Sequence, residues 1–195
     1  MKTYEYGRIK VLATKLQEAG IPQETIDKIM AGGVQIAGNA KPEKKADWMR
    51  QATRRMDALL DPKTRHTVRE GCACCLGGKR QMLSKGIAKA GGTLEERVAA
   101  CNNTPYVFGH SVTLQDDSKI RVQFAPDGQE SYRCVCIPKS TEPISITYCY
   151  CCGGHIKHHL QTALGRKLSL KVKTTPLATS GKKPCILVFT IHDSP

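Results

Sequence analysis

Residues Ile144–Leu164 read ISITYCYCCGGHIKHHLQTAL, and Cys149, Cys151, Cys152, His155, His158 and His159 put three thiols and three imidazoles into eleven positions. Thiolate and imidazole are zinc's usual soft donors, and all-thiolate sets also suit Cu(I) or an iron–sulfur cluster. The order is echoed upstream, where CACCLGG at Cys72–Gly78 repeats Cys-x-Cys-Cys followed by two glycines. A further Cys-x-Cys stands at Cys134–Cys136. Alternate residues of a strand share a face, so Cys134 with Cys136, and Cys149 with Cys151, would each present a thiol pair on a sheet. The expected metal ligands are Cys72, Cys74, Cys75, Cys134, Cys136, Cys149, Cys151 and Cys152. Zinc is the first expectation, an iron–sulfur cluster the second and metal-free dithiol chemistry the third. The two triple clusters are expected close together in space, each at the mouth of a helix, with Cys134–Cys136 beside them.

Read as a helix, Gly153–Leu164 buries Ile156, Leu160, Ala163 and Leu164, with Cys152, His155 and His159 along the edge of that stripe. A thiol at a helix N-terminus is favoured as thiolate, so Cys152, His155 and His159 form the expected reactive side. His158 points away, and it and His66 read as solvated. Cys101 and Cys185 lie on apolar faces and read as space-filling. The glycine pairs suggest an anion cradle at a helix start, aided by Lys79 and Arg80, but lack the sequence context of a nucleotide-binding loop. No Ser-His-Asp order or cofactor fingerprint is present.

The chain has 195 residues, 40% of them hydrophobic, enough for a substantial core. No apolar run approaches the roughly 18 residues that would span a bilayer, and MKTYEYGRIK lacks a signal peptide's apolar stretch. The expectation is a cytoplasmic protein without membrane contact, in which ten cysteines point to metal or redox chemistry rather than disulfides. The net charge of +13 includes a stretch between Glu142 and Asp193 with no acidic residue. Such a field favours a small anionic partner or nucleic acid, although neither an arginine run nor interleaved aromatics accompany it.

The elements that must position these groups begin as helices. Helical spacing runs from Tyr6 to about Ala19, resumes after Pro22 and continues over Pro42–Leu60; Asp61–Pro62 caps a helix through Val68. After the first cluster, KRQMLSKGIAKAGG is helical, and Thr93 opens TLEERVAAC with a capping box. Strands are expected at Tyr106–Thr113, Lys119–Phe124, Ser131–Ile137 and Ile144–Tyr150, with turns at Asp116–Ser118 and Pro126–Gly128. KLSLKVKTT and ILVFTI form a last strand pair. The fold class is α+β, with N-terminal helices followed by an antiparallel sheet packed against helices. The division is a helical region at 1–71 and a cysteine-rich α+β domain at 72–195, or one continuous domain.

Cys152 preceding a helix, the stop at Gly165, the strand Leu168–Thr174, the turn Ser180–Gly181 and the strand Cys185–Phe189 together resemble a known arrangement. They are similar to the C-terminal half of the vinyl-reductase-type small-molecule-binding domain and its bacterial aminothiazoline-carboxylate hydrolase relatives. The resemblance covers Asp61–Ile191 loosely and the tail well. It implies helices packed on an antiparallel sheet with a small-ligand pocket between them. It also implies an alternative function as a hydrolase, with Cys152 as nucleophile and His155 or His159 as its base.

Overall fold

A computed structural model describes residues 3–125, 129 and 133–192. Among these, α1 (Gly7–Glu18), α2 (Gln23–Ile29), α3 (Pro42–Leu59) and α4 (Pro62–Gly71) form the first half. Proline stands at the first turn of α3, and Asp61 Oδ1 caps α4 by accepting from the Thr64 N–H at 3.0 Å. Then come α5 (Gly78–Ala90), α6 (Leu94–Cys101) and the single turn α7 (Pro105–Phe108). Both halves of the α6 capping box form: Thr93 N–H donates to Glu96 Oε2 at 2.8 Å, and Glu96 N–H to Thr93 Oγ1 at 3.3 Å.

The strands β1 (Ser111–Asp116), β2 (Lys119–Gln123), β3 (Lys167–Thr174) and β4 (Ile186–His192) make one antiparallel sheet in the order β1-β2-β4-β3. The helix α8 (Tyr150–Leu164) crosses the middle of the molecule and packs on α4, α5 and β3. The fold is α+β. One continuous core runs from Tyr4 and Ile9 in the first helices through Ile156 and Leu160 to Phe189 in the sheet.

The glycines after the second cysteine cluster lie inside α8 and do not turn the chain. A Cβ at Gly154 would sit 2.5 Å from the Glu70 carbonyl oxygen, and one at Gly153 would overlap Leu170. Only hydrogen at these positions lets α8 meet the end of α4 on one side and β3 on the other. The anion cradle expected of this pair is therefore replaced by close packing.

Three expected strands differ. Tyr106–Phe108 is helical, because Pro105 suits the first position of a turn; the strand begins at Ser111 after Gly109, whose φ is +108°. Ile146–Cys149 forms a 3-10 turn, opened by Ser145 Oγ accepting from Thr147 N–H at 3.2 Å, and runs directly into α8. The β-branched and aromatic residues there suggest a strand, but the serine cap and the tertiary contacts of Thr147 and Tyr148 win. Residues 133–137 form no strand, while Ser131, Tyr132 and the turn expected at Pro126–Gly128 lie outside the described residues. Four thiols on one sheet face are thus ruled out: Cys134 and Cys136 stand on a loop, and Cys149 and Cys151 on helical turns.

Candidate functional site

Helix α8 carries Cys151, His155 and His159 four residues apart, a spacing that keeps them on one face. Each bonds a carbonyl of the loop between α4 and α5. Cys151 Sγ donates to the Cys72 carbonyl at 3.2 Å, His155 Nδ1 to that of Cys74 at 2.9 Å, and His159 Nε2 to that of Cys75 at 3.1 Å. These three rungs fasten the first cysteine cluster along the second.

The rungs also fix what the imidazoles do. His159 has no exposed surface, and its Nδ1 lies 2.9 Å from Ser84 Oγ. Burial holds its pKa below the ordinary value, and the Cys75 carbonyl fixes Nε2 as the donor. Burial, too, pushes His155 down to about 4. His158 is half-buried and paired with Gln81 Oε1 at 2.9 Å, and His66 is stacked on Tyr150 at 3.7 Å; neither is freely solvated. Ser84 and the Cys75 carbonyl therefore engage both nitrogens of His159, whereas His155 bonds the loop through Nδ1 and His158 bonds Gln81 through Nε2.

Beside this ladder lies a cavity of about 180 Å³. Eight of the ten cysteines line it: Cys74 and Cys75 from the first cluster, Cys134 and Cys136 from the loop, Cys149, Cys151 and Cys152 from the second cluster, and Cys185 before β4. Cys72 is excluded; it is buried, and its thiol donates to the Val68 carbonyl at 3.3 Å. His155 reaches the rim and His159 does not. Cys101 is buried in the core, where burial pushes it up to about 12, whereas Cys185 lines the cavity rather than merely filling space. Cys152 stands about two turns inside the helical run that begins at Ile146, so the helix end expected to favour its thiolate lies further upstream.

The thiols neighbour one another around the cavity, Cys74 beside Cys151 and Cys75, and Cys136 beside Cys134 and Cys152. These neighbours split the pKa values. Cys74 is raised by Cys151 and then by burial, whereas Cys151 is lowered by the Cys74 thiol and, against its own burial, by Arg69. Cys134 pulls Cys136 down, but Cys152 and burial outweigh it and bring Cys136 up to about 12. Cys75 holds a left-handed backbone with φ 60°, a conformation unusual for a side-chain-bearing residue. Among the described residues, no three His, Cys, Asp or Glu side chains already converge at metal-holding geometry.

Cations that the sequence reading did not place at the site surround these thiols. Arg8 of α1 donates to the Cys136 carbonyl at 2.9 Å and to Tyr148 Oη at 3.2 Å. Arg69 of α4 donates to the Tyr148 carbonyl at 3.1 Å and lies over the Tyr148 ring at 4.7 Å. Arg80 of α5 reaches the cavity rim, over Tyr106 at 5.4 Å. Among the described residues no carboxylate lines the cavity. A signal for Arg69 exists in the sequence, since it stands one helical turn before Cys72; Arg8 offers none, being far from every cysteine.

No family model, curated protein or solved structure matches the chain. No helix among the described residues is long and apolar enough to cross a membrane.

Proposed function

We propose that the cysteine-lined cavity binds a thiophilic metal ion, with zinc the first candidate and an iron–sulfur cluster the second. The observation that carries this reading is the meeting of eight cysteines from four separate segments in one cavity with no carboxylate on its described walls. Space-filling does not account for it, because cysteines that neighbour one another are open to oxidation and alanine or valine would fill the same volume. An ion bound there would have to draw the neighbouring thiols together and displace their protons. A reducing, cytoplasmic setting goes with this reading. The test is metal, acid-labile sulfide and thiol analysis of anaerobically purified protein. About one equivalent of zinc, or iron with sulfide, is expected; metal far below one equivalent with every thiol titratable overturns the reading.

One observation favours a second reading, dithiol redox chemistry. Cys74 neighbours Cys151 in the cavity wall, and Cys151 is the thiol whose pKa is lowered. In this reading a hydroperoxide takes two electrons and two protons from the pair, giving a disulfide, an alcohol and water. Mass spectrometry of the metal-free protein after stoichiometric peroxide is expected to show a Cys74–Cys151 link. Persistence of both thiols rejects the reading.

A further inference from the structure

Arg69 is 3% exposed, and its Nε has no hydrogen-bond partner. Among the described residues no carboxylate pairs with it or with Arg8. A buried cation without a counter-charge is heavily penalised, so a guanidinium held this way calls for an anion beside it. The groups that face Arg69 are Tyr148, Cys72, Cys149 and Cys151, and those that face Arg8 are Tyr148, Tyr6, Cys136 and Cys151. Thiols are the members of both sets that a metal converts to fixed negative charge.

The pairing of the thiols narrows the set. Cys151 and Cys152 are consecutive on α8, about 100° apart around its axis, so each meets a different partner. Cys151 meets Cys74 on the α4–α5 loop, and Cys152 meets Cys136 on the loop before α8. Two pairs from three segments make four donors. Four thiolates around a divalent ion carry a net charge of about minus two, and so does an oxidised four-iron cluster with four thiolates. The buried Arg69, and Arg8, which is exposed but holds the Cys136 carbonyl, supply two positive charges beside it. A site of two thiolates and two imidazoles would be neutral and leave the buried Arg69 uncompensated, and both nitrogens of His159 are already bonded, to Ser84 and to the Cys75 carbonyl.

We propose that the occupant is a dianionic four-thiolate metal centre held by Cys74, Cys136, Cys151 and Cys152, with Arg8 and Arg69 as its built-in counter-charges. This rests on the metal reading above and specifies its charge and donors. With zinc the binding step is four thiols plus one Zn²⁺ giving the tetrathiolate and four released protons.

The experiment titrates Zn²⁺, and Co²⁺ as its spectroscopic substitute, into reduced metal-free protein. Thiolate-to-cobalt charge transfer, proton release and competition with a chelator are read together. Wild type is expected to show a four-sulfur tetrahedral cobalt spectrum and release of close to four protons. Cys136→Ser and Cys152→Ser are expected to weaken zinc by more than the roughly 10–100-fold that outer-shell changes cost. Arg69→Met, tested beside Arg69→Lys to separate charge from packing, is expected to weaken it within that range, with Lys retaining most of the affinity. Cys101→Ala and His158→Gln, both away from the cavity, are expected to change it less than about threefold, below any outer-shell effect. Unchanged affinity in Cys136→Ser or Arg69→Met, or a cobalt spectrum with nitrogen ligation lost in His155→Gln, overturns the proposal while leaving metal binding intact. No metal uptake by wild type instead overturns the reading on which it rests.

Discussion

Cys72–Gly78 and Cys149–Gly154 both run Cys-x-Cys-Cys into a glycine pair, and they fold differently. In the first, Cys74 and Cys75 stand exposed on an open loop, Cys75 turns left-handed, and the glycines begin α5 with open space around both. In the second, the cysteines are wound into a 3-10 turn and the first turn of α8, and the glycines are pressed between Glu70 and Leu170. The difference teaches that the shared order encodes thiol supply rather than shape. Shape comes from what each segment meets, and the looser segment is held by the tighter one through the rungs from Cys151, His155 and His159.

The largest test of that asymmetry exchanges glycines. Gly154→Val forces a side chain into the Glu70 backbone, so it is expected to lower the unfolding free energy by about 3 kcal/mol or more, at the upper end of overpacking effects. A shift in the denaturation midpoint at constant slope measures it, and a shift below 1 kcal/mol would break the comparison.

Removing one rung is expected to have a smaller effect. His159→Ala leaves Ser84 and the Cys75 carbonyl without this partner and opens a buried space, for a loss of about 2–3 kcal/mol. Cys74 and Cys75 should then alkylate faster in a mass-spectrometric time course, while Cys101 stays protected. Equal rates in mutant and wild type would show that the loop holds itself.

The pH dependence comes next. His155 is depressed to about 4 in the folded protein, against about 6.5 when unfolded. Between those values the unfolded chain binds more protons, so stability rises with pH and is lost as pH falls from about 6.5 towards 4. Thermal midpoints of wild type and His155→Gln should converge on acidification across that window. Parallel curves would remove His155 from the account. Gly77→Ala should do least, costing no more than about 1 kcal/mol, because Gly77 precedes α5 with φ −114° and nothing within 4 Å of the added methyl.

Much of the fold was legible because the helices carry local signals: prolines at first turns, Asp61 and Thr93 caps, and apolar spacing in Pro42–Leu59. Ile144–Tyr150 was not, since its composition favours a strand while Ser145, Asp57 and the two arginines at Tyr148 fix it as a turn. The site divides similarly. Spacing within each cluster pointed to the thiols, and the helical repeat picked out His155 and His159. It could not tell that those rings bind carbonyls, nor that Arg8 and Arg69 arrive from helices more than seventy residues before the second cluster.

The three rungs all end on main-chain oxygen, which every amino acid supplies. Helix α8 therefore grips the path of the α4–α5 loop without reading its side chains. Residue 74 can change while the loop keeps its course, whereas the left-handed backbone at Cys75 restricts what can replace it.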